Sequence, residues 1–302
     1  VILSVVIITF NEETNIARTL ASVQPLVSDG NGEIIVVDSG STDGTVGIAK
    51  SCGAKVFVEE WKGYAVQKNS GIDRAEGDWI LSLDADESLE SGTVELVRVL
   101  VSKPDGLTQA EIGNMARTLG GDSLDTVEAV MAYEEGSGVM PTKSAEDIPL
   151  ALSGYWFPRK NFFLGRWITH GGFWPDPKLR LFRRGSGRFQ AQAVHETLKV
   201  DGYTAKVKTG ALLHHSYPTL SDYIDHMNRY SSLGAEMAAA KGRRGFSVFN
   251  IVLRPAATFF YNYFFRMGFL DGREGLLLHL YHAVYVSWKY AKAWEMARGR
   301  AD

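Results

Sequence analysis

A chain of 302 residues, 45% hydrophobic, is long enough for one large α/β domain or a medium domain with an appended region. Its single cysteine, Cys52, excludes an internal disulfide and a four-cysteine zinc site, fits a reducing compartment, and reads as a small packed apolar residue. The net charge of −3 conceals a split: residues 1–150 carry 10 Lys and Arg against 25 Asp and Glu, and residues 151–302 carry 22 against 10.

The opening run Val1 to Phe10 has no basic stretch before it and no small-residue cleavage site after it, so it reads as a buried strand and not as a signal peptide. Four short β-branched runs are expected as strands: Leu3–Thr9, Glu33–Asp38, Lys55–Val58 and Trp79–Asp84. Helical patterns over Glu13–Val27, Asp43–Cys52 and Tyr64–Ala75 lie between them. Alternating strands and helices predict a mostly parallel sheet covered on both faces, with ligands bound at the carboxyl ends of the strands. Polar residues gather at those ends: Thr9, Asn11 and Glu12; Asp38 to Asp43; Asp84 to Glu87. Residues 88–102 read as a helix. An acidic stretch, 104–150, then carries two short helical patterns split by Gly120-Gly121 and reads as an insertion. Beyond it, Tyr155–Arg159, Lys178–Arg183, Val194–Val200 and Ala211–His215 are expected as strands, and Leu220 to Leu233 as an amphipathic helix. From Gly245 to Trp294 the chain is apolar and aromatic, but Arg254, Asn262, Arg266 and Asp271 to Arg273 interrupt it before it could span a bilayer.

Three segments carry candidate chemistry. In Leu81-Ser82-Leu83-Asp84-Ala85-Asp86-Glu87, side chains two apart on extended backbone face the same way, so Asp84 and Asp86 can hold Mg²⁺ or Mn²⁺; the plainer alternative makes Asp86 a helix cap. Asp38 either hydrogen-bonds a nucleotide's base or ribose, or caps the loop that leads to the next helix; Asp43 reads as structural. Thr9 and Glu12 lie at the same edge and suit the same nucleoside, unless Asn11 serves as helix cap with Glu12 and Glu13 favouring the helix N-terminus.

The residues TFNEE (9–13), VVDSGSTDGT (36–45), Gln67-Lys68-Asn69 and LSLDADE (81–87) resemble the family 2 glycosyltransferases, in type and in spacing. The later segments 157–176, 178–185, 193–196 and 214–231 are similar to the branch that includes bacterial lipopolysaccharide core β-1,4-glucosyltransferases. The resemblance covers 1–103 and 151–297. It implies a GT-A fold: an α/β, Rossmann-like, mostly parallel sheet flanked by helices, here with a helical C-terminal extension. It implies transfer of a hexose, with UDP-glucose the expected donor, to a saccharide acceptor that is lipid-linked as in lipopolysaccharide core, with inversion at the anomeric carbon. Thr9, Asn11, Glu12 and Asp38 are then expected at the nucleoside with Lys68 nearby, Asp84 at the donor, and Asp86 as the metal ligand. A base must take the acceptor's hydroxyl proton; Glu196 is the first candidate and Asp176 the second. Of His214 and His215, ending a strand, His215 is the expected third metal ligand. Arg180, Arg183 and Arg184 suit a diphosphate, because guanidinium matches phosphate oxygens bidentately. The Gln-x-x-Arg-Trp motif of processive members is absent, which argues against polymer synthesis.

The expected layout is a nucleotide-sugar half (1–103), an acidic helical insertion (104–150), an acceptor half (151–218) and a helical C-terminal region (219–302). Within the insertion, residues 119–131 look like the Asp-Ser-Leu region of acyl carrier proteins, with Ser123 at the modified position; the plainer alternative is a two-helix insertion capped by Asp122. The C-terminal region reads either as an interfacial surface or as two packed helices at a dimer contact. The basic charge of residues 151–302 suits an anionic partner, a diphosphate or an acidic lipid surface, and no nucleic-acid motif is present. A cytoplasmic enzyme, peripheral on the inner membrane face, is the expected setting. Two other classes compete. A nucleotidyltransferase would need a glycine-rich loop where Thr9-Phe10-Asn11-Glu12 stands, and a sugar-nucleotide-binding or carrier-like protein without turnover would not need Asp84, Asp86 and Glu196.

Overall fold

The computed structural model describes residues 2–102, 127–130, 152–191, 196–243 and 245–298. The chain divides into two compact units. The first comprises Val1–Arg159, Pro177–Ala191 and Glu196–Leu213; the second comprises Lys160–Asp176, Gln192–His195 and His214–Asp302. Residues 151–218 contribute to both units: part of that segment joins the main sheet while the rest packs with the C-terminal helices.

The first unit is built on an eight-stranded sheet. Strands β1 (Leu3–Thr9), β2 (Gly32–Asp38), β3 (Lys55–Val58) and β4 (Trp79–Asp84) alternate with helices α1 (Ile16–Val27), α2 (Thr45–Ser51) and α3 (Tyr64–Asp73). A short β5 (Glu87–Leu89) and helix α4 (Ser91–Val101) come next. The sheet is completed by β6 (Val127–Val130), β7 (Leu152–Phe157), β10 (Lys178–Arg183) and β13 (Tyr203–Val207), in the order β3-β2-β1-β4-β10-β7-β13-β6. β3, β2, β1 and β4 are parallel; β10 runs antiparallel to β4 and to β7. The expected α/β architecture, with strands β3, β2, β1 and β4 parallel, is thus present.

Burial explains the layers. All seven residues of β1 are buried, as a central parallel strand requires. Leu3, Val5 and Ile7 face a core shared with Ile16, Leu20 and Val23 of α1 and Leu96, Val97 and Leu100 of α4. Val6 and Ile8 face the opposite core with Ala65 and Ile72 of α3. Each such side chain contributes about 1.5–3 kcal/mol when removed from water. Gly71 lets α3 approach the sheet, since a Cβ there would stand 2.4 Å from Val6 Cγ1. That approach carries Lys68, one turn earlier, down to the sheet end.

Several local expectations are corrected. α1 begins at Ile16 and not at Glu13: Asn11 sits at φ +54, and Asn15 and Ile16 donate their N–H groups to the Glu12 carbonyl in an intervening turn. Asn11 is therefore no helix cap. Residues 87–89 are a strand, so the helix expected over 88–102 is shortened to 91–101 and Asp86 does not cap it. Residues 127–130, expected as helix within the 104–150 insertion, pair antiparallel with β13 at the sheet edge. Ser123 and the remainder of 104–150 lie outside the described residues.

In the second unit, β14 (Leu212–Tyr217), β8 (Arg159–Phe163) and β9 (Arg166–Trp167) lie side by side. Helix α5 (Leu220–Ala240) starts at a capping box formed by Thr219 and Asp222. It packs on the long final helix α7 (Gly272–Arg298), where Ala235 and Ala238 meet Tyr290 and Ala293. Between them runs a helical stretch with α6 (Arg254–Phe260) flanked by π-helical turns at Phe249–Leu253 and Tyr261–Phe265. Asp271, 1% exposed, accepts from the backbone N–H groups of Thr169 and His170 and from the Thr169 hydroxyl, fixing this unit's loop to the start of α7. Among the described residues no helix is long and apolar enough to cross a membrane.

Candidate active site

The carboxyl ends of β1 and β2 carry two loops bonded into each other. Asn11 N–H donates to Ser41 Oγ (2.8 Å), and Thr42 N–H donates back to Asn11 Oδ1 (2.9 Å). Glu13 N–H donates to Asp43 (3.2 Å), while Gly44 N–H donates to Glu13 Oε2 (2.8 Å). Glu12 N–H donates to Thr45 Oγ1 (2.8 Å). Asp38, fully buried, accepts from Gly40 N–H (2.9 Å), Ser41 N–H (2.8 Å) and the Ser41 hydroxyl (2.5 Å), so its oxygens shape the turn after β2. Thr9 Oγ1 is buried without a hydrogen-bond partner among the described residues.

At the end of β4 the chain turns. The strand stops at Asp84, and the Asp84 N–H donates to Glu87 Oε2 (3.1 Å) across the turn. The extended backbone expected to point Asp84 and Asp86 the same way is therefore not present; a turn tightened by Glu87 replaces it. The Thr19 hydroxyl of α1 pins this turn by donating to the Ala85 carbonyl (2.6 Å). Both aspartates still bear on one place. Burial pushes the Glu12 carboxyl up, a hydrogen bond from Asn15 opposes this, and the negative charges of Asp86, Asp43 and Asp84 push it further up. Glu12, Asp84 and Asp86 thus concentrate negative charge at the ends of β1 and β4.

Asp84 is the hub of a buried ion network. Its Oδ1 meets Lys68 Nζ at 2.8 Å and its Oδ2 meets Arg180 Nη2 at 2.6 Å. Lys68, on α3 and 1% exposed, reaches on to Glu196 at 2.7 Å. Arg180, on β10, reaches on to Glu87 at 2.7 Å, and Arg159 closes on the same Glu87 oxygen at 3.0 Å. Burial would raise the Asp84 carboxyl, yet Arg180 and Lys68 hold it far below the usual carboxylate range. Burial likewise lowers the Arg180 guanidinium, and Asp84 and Glu87 more than reverse it.

Glu196 owes its position to a clamp. It directly precedes β12 (Thr197–Val200), which forms an antiparallel hairpin with β11 (Gly187–Gln190). Asn69 of α3 holds β11 as a neighbouring strand would, donating to the Phe189 carbonyl (2.8 Å) and accepting from the Phe189 N–H (3.0 Å). Phe189 lies against Lys68, whose ammonium is 5.0 Å from the ring centroid. Asn69→Ala is expected to lower turnover about tenfold and stability by ~1–3 kcal/mol, because two backbone groups lose their partner. Steady-state kinetics with thermal unfolding checks this, and unaltered turnover would mean that Asn69 does not position Glu196.

Arg183 and Arg184 fall at the other end of the sheet from Asp84. Arg183 pairs in register with Trp79, at the amino end of β4, lies over that ring at 4.7 Å, and donates to the Leu152 carbonyl. β10 runs antiparallel to β4, so Arg180 stands near Asp84 while Arg183 is carried to the far end of the sheet; Arg183 is not a diphosphate ligand here. Arg184 follows it there, its N–H donating to the Asp78 carbonyl. In the second unit, Asp176 accepts from Asn161 Nδ2 (3.1 Å), and Asn161 Oδ1 meets His214 Nδ1 (2.7 Å). His215 stacks on Phe162 with centroids 4.5 Å apart. Glu87 and Arg159 were not anticipated; the only hint was a third acid directly after Asp84 and Asp86. Among the described residues no three His, Cys, Asp or Glu side chains form a ready-made metal cage.

Residues 4–112 match the family described as Glycosyl transferase family 2. The chain is 27% identical over 299 residues to the lipopolysaccharide core biosynthesis glycosyltransferase LpsC of Rhizobium meliloti (strain 1021), covering 97% of this chain and 92% of that one. An uncharacterized glycosyltransferase of Rickettsia felis (strain ATCC VR-1525 / URRWXCal2) is 51% identical over 87 residues, 29% of each chain. Among solved structures, S. aureus TarS 1-349 is 14% identical with a TM-score of 0.41, covering 100% of this chain and 92% of that one. The sequence matches support a family 2 glycosyltransferase.

Proposed function

We propose that this chain transfers a hexose from a nucleotide-sugar, UDP-glucose in the first instance, to a hydroxyl of a lipid-linked saccharide, with inversion at the anomeric carbon. The observation that carries the reading is the shared lysine: Lys68 joins Asp84, at the end of β4, to Glu196. A donor-side carboxylate and a candidate base are thereby held on one ammonium. The similarity to a lipopolysaccharide core transferase supports the acceptor class.

A divalent cation fits these residues. Glu12, Asp84 and Asp86 crowd negative charge that raises the Glu12 carboxyl, and a cation would relieve it. Both Asp84 oxygens are engaged by Lys68 and Arg180, and Asp86, at the turn after β4, is the proposed direct ligand. Mg²⁺ and Mn²⁺ suit such a site, since Mg²⁺ commonly takes one or two carboxylates and completes its shell with substrate phosphates and water. When bound, the cation neutralises charge on the departing diphosphate.

The protein's own groups do the rest. The rim loops, with the unpartnered Thr9 hydroxyl and Glu12, receive the nucleoside. Asp38 stiffens the loop that carries Ser41, and Arg180 fixes Asp84. Glu196 takes the proton of the attacking hydroxyl; the new glycosidic bond forms as the bond to the diphosphate breaks on the opposite face.

The test is nucleotide release from a panel of UDP-, GDP- and dTDP-sugars with Mg²⁺ or Mn²⁺, with and without chelator. Release from one donor is expected, lost with chelator and reduced ~10²–10³-fold or more in Asp86→Ala, comparable to removing one preorganised charge-stabilising group. No release and no cation-dependent nucleotide binding for any donor would end the transferase reading.

A further inference from the structure

The stretch 245–270 leaves an apolar face uncovered. Val252-Leu253, Ala256-Ala257, Phe260-Tyr261 and Phe264-Phe265 are exposed pairs that recur every four residues. The large side chains among them are 50–81% exposed, Phe265 most of all. A four-residue repeat drifts about 40° per turn around a regular α-helix of 3.6 residues per turn, so it would spiral away from any flat surface. The π-helical turn Tyr261–Phe265, which follows α6, rotates less per residue and takes part of that drift back. The four exposed pairs therefore form a stripe along this stretch. A stripe of this size on a water-facing helix marks an interaction surface.

Charge identifies what covers it. Lys241, Arg243, Arg244, Arg254 and Arg266 fall within 241–270, and that segment contains no Asp or Glu. Arg254 lies at a shallow groove lined by Phe249, Leu253, Ala257, Thr258 and Tyr261. Its guanidinium donates to the Tyr290 hydroxyl and lies between the Phe249 and Tyr290 rings, 5.9 and 5.3 Å from their centroids. A second copy of the chain is a poor occupant, because a twofold contact sets a patch against itself and these cations would meet cations with no carboxylate to answer them. A surface of anionic phosphates over hydrocarbon satisfies both the stripe and the charge.

We propose that the stripe Val252–Phe265 lies on an anionic phospholipid bilayer, aromatic side chains in the acyl boundary and the flanking arginines at the phosphates. This goes beyond the transfer reaction, and its test uses neither donor nor acceptor, so either reading can fail alone. The full chain is sedimented with phosphatidylcholine vesicles, with and without phosphatidylglycerol, at low and high salt. Binding is expected only with phosphatidylglycerol and is expected to weaken with salt. The double variant Phe260→Ser/Phe265→Ser is expected to weaken it at least about tenfold, since each lost aromatic contact removes buried apolar area. Nucleotide release should be unchanged in that variant; should it fail to fold, Phe265→Ser alone serves. Equal binding to neutral vesicles, no vesicle binding, or a dimer in light scattering that the double variant splits would each overturn the proposal.

Discussion

Glu196→Gln is expected to lower kcat by ~10²–10⁴, the range for loss of a positioned general base, while donor affinity stays near that of the parent protein. Glutamine keeps the volume of the side chain and can still accept from Lys68, which holds Glu196 Oε1 at 2.7 Å. The β11–β12 hairpin, held through Asn69, should therefore keep its place, and the variant isolates proton acceptance from architecture. Steady-state transfer assays with a nucleotide titration separate the two effects. A fall in kcat with unchanged donor binding is the signature of a group used after the donor is bound. The companion variant is Asp176→Asn, whose carboxylate is held by Asn161. Should Glu196→Gln turn over normally while Asp176→Asn does not, the base is Asp176.

The largest effect on stability is expected at Glu87. Its carboxylate is fully buried between Arg180 and Arg159, and it also accepts from the Asp84 N–H. Glu87→Ala leaves two guanidiniums sharing what Asp84 can offer, and breaking a buried ion cluster by removing one partner costs ~3–5 kcal/mol. In a chain of this size that corresponds to a melting shift on the order of 10 °C. Arg180 would also lose one of the two anchors that hold it against Asp84, so donor affinity should fall alongside stability. Thermal unfolding with donor titration measures both. A loss under about 1 kcal/mol would mean that water already screens the network.

The parallel half of the sheet was legible because its strands are continuous β-branched runs, and all four were found within one residue of their ends. Asp84 and Asp86 were legible for the same reason: they follow the last such run. What escaped depends on partners distant in the chain. Glu87 looked like the start of a helix because nothing local announces Arg159 and Arg180. Arg183 was grouped with Arg180 because strand direction cannot be read from KLRLFR, and antiparallel pairing with β4 sends the two arginines to opposite ends. β11 is four residues long and alternates buried with exposed, too short a pattern to stand out from the turns around it. Asn11 looked like a cap because its residue type favours caps; its positive φ instead turns the side chain to the neighbouring loop. The helix start moved three residues as a result.

That exchange between the loops after β1 and β2 bears on how such a rim can change over generations. Donors and acceptors run in both directions: Asn11 with Ser41 and Thr42, Glu13 with Asp43 and Gly44, Glu12 with Thr45. Neither loop has a self-sufficient shape, so a replacement in one strands the complementary group in the other. Residues joined in this way are non-additive when altered together. The two segments, some thirty positions apart, are thus expected to be inherited and transplanted as one cassette, and a chimera exchanging only one would carry a mismatched half.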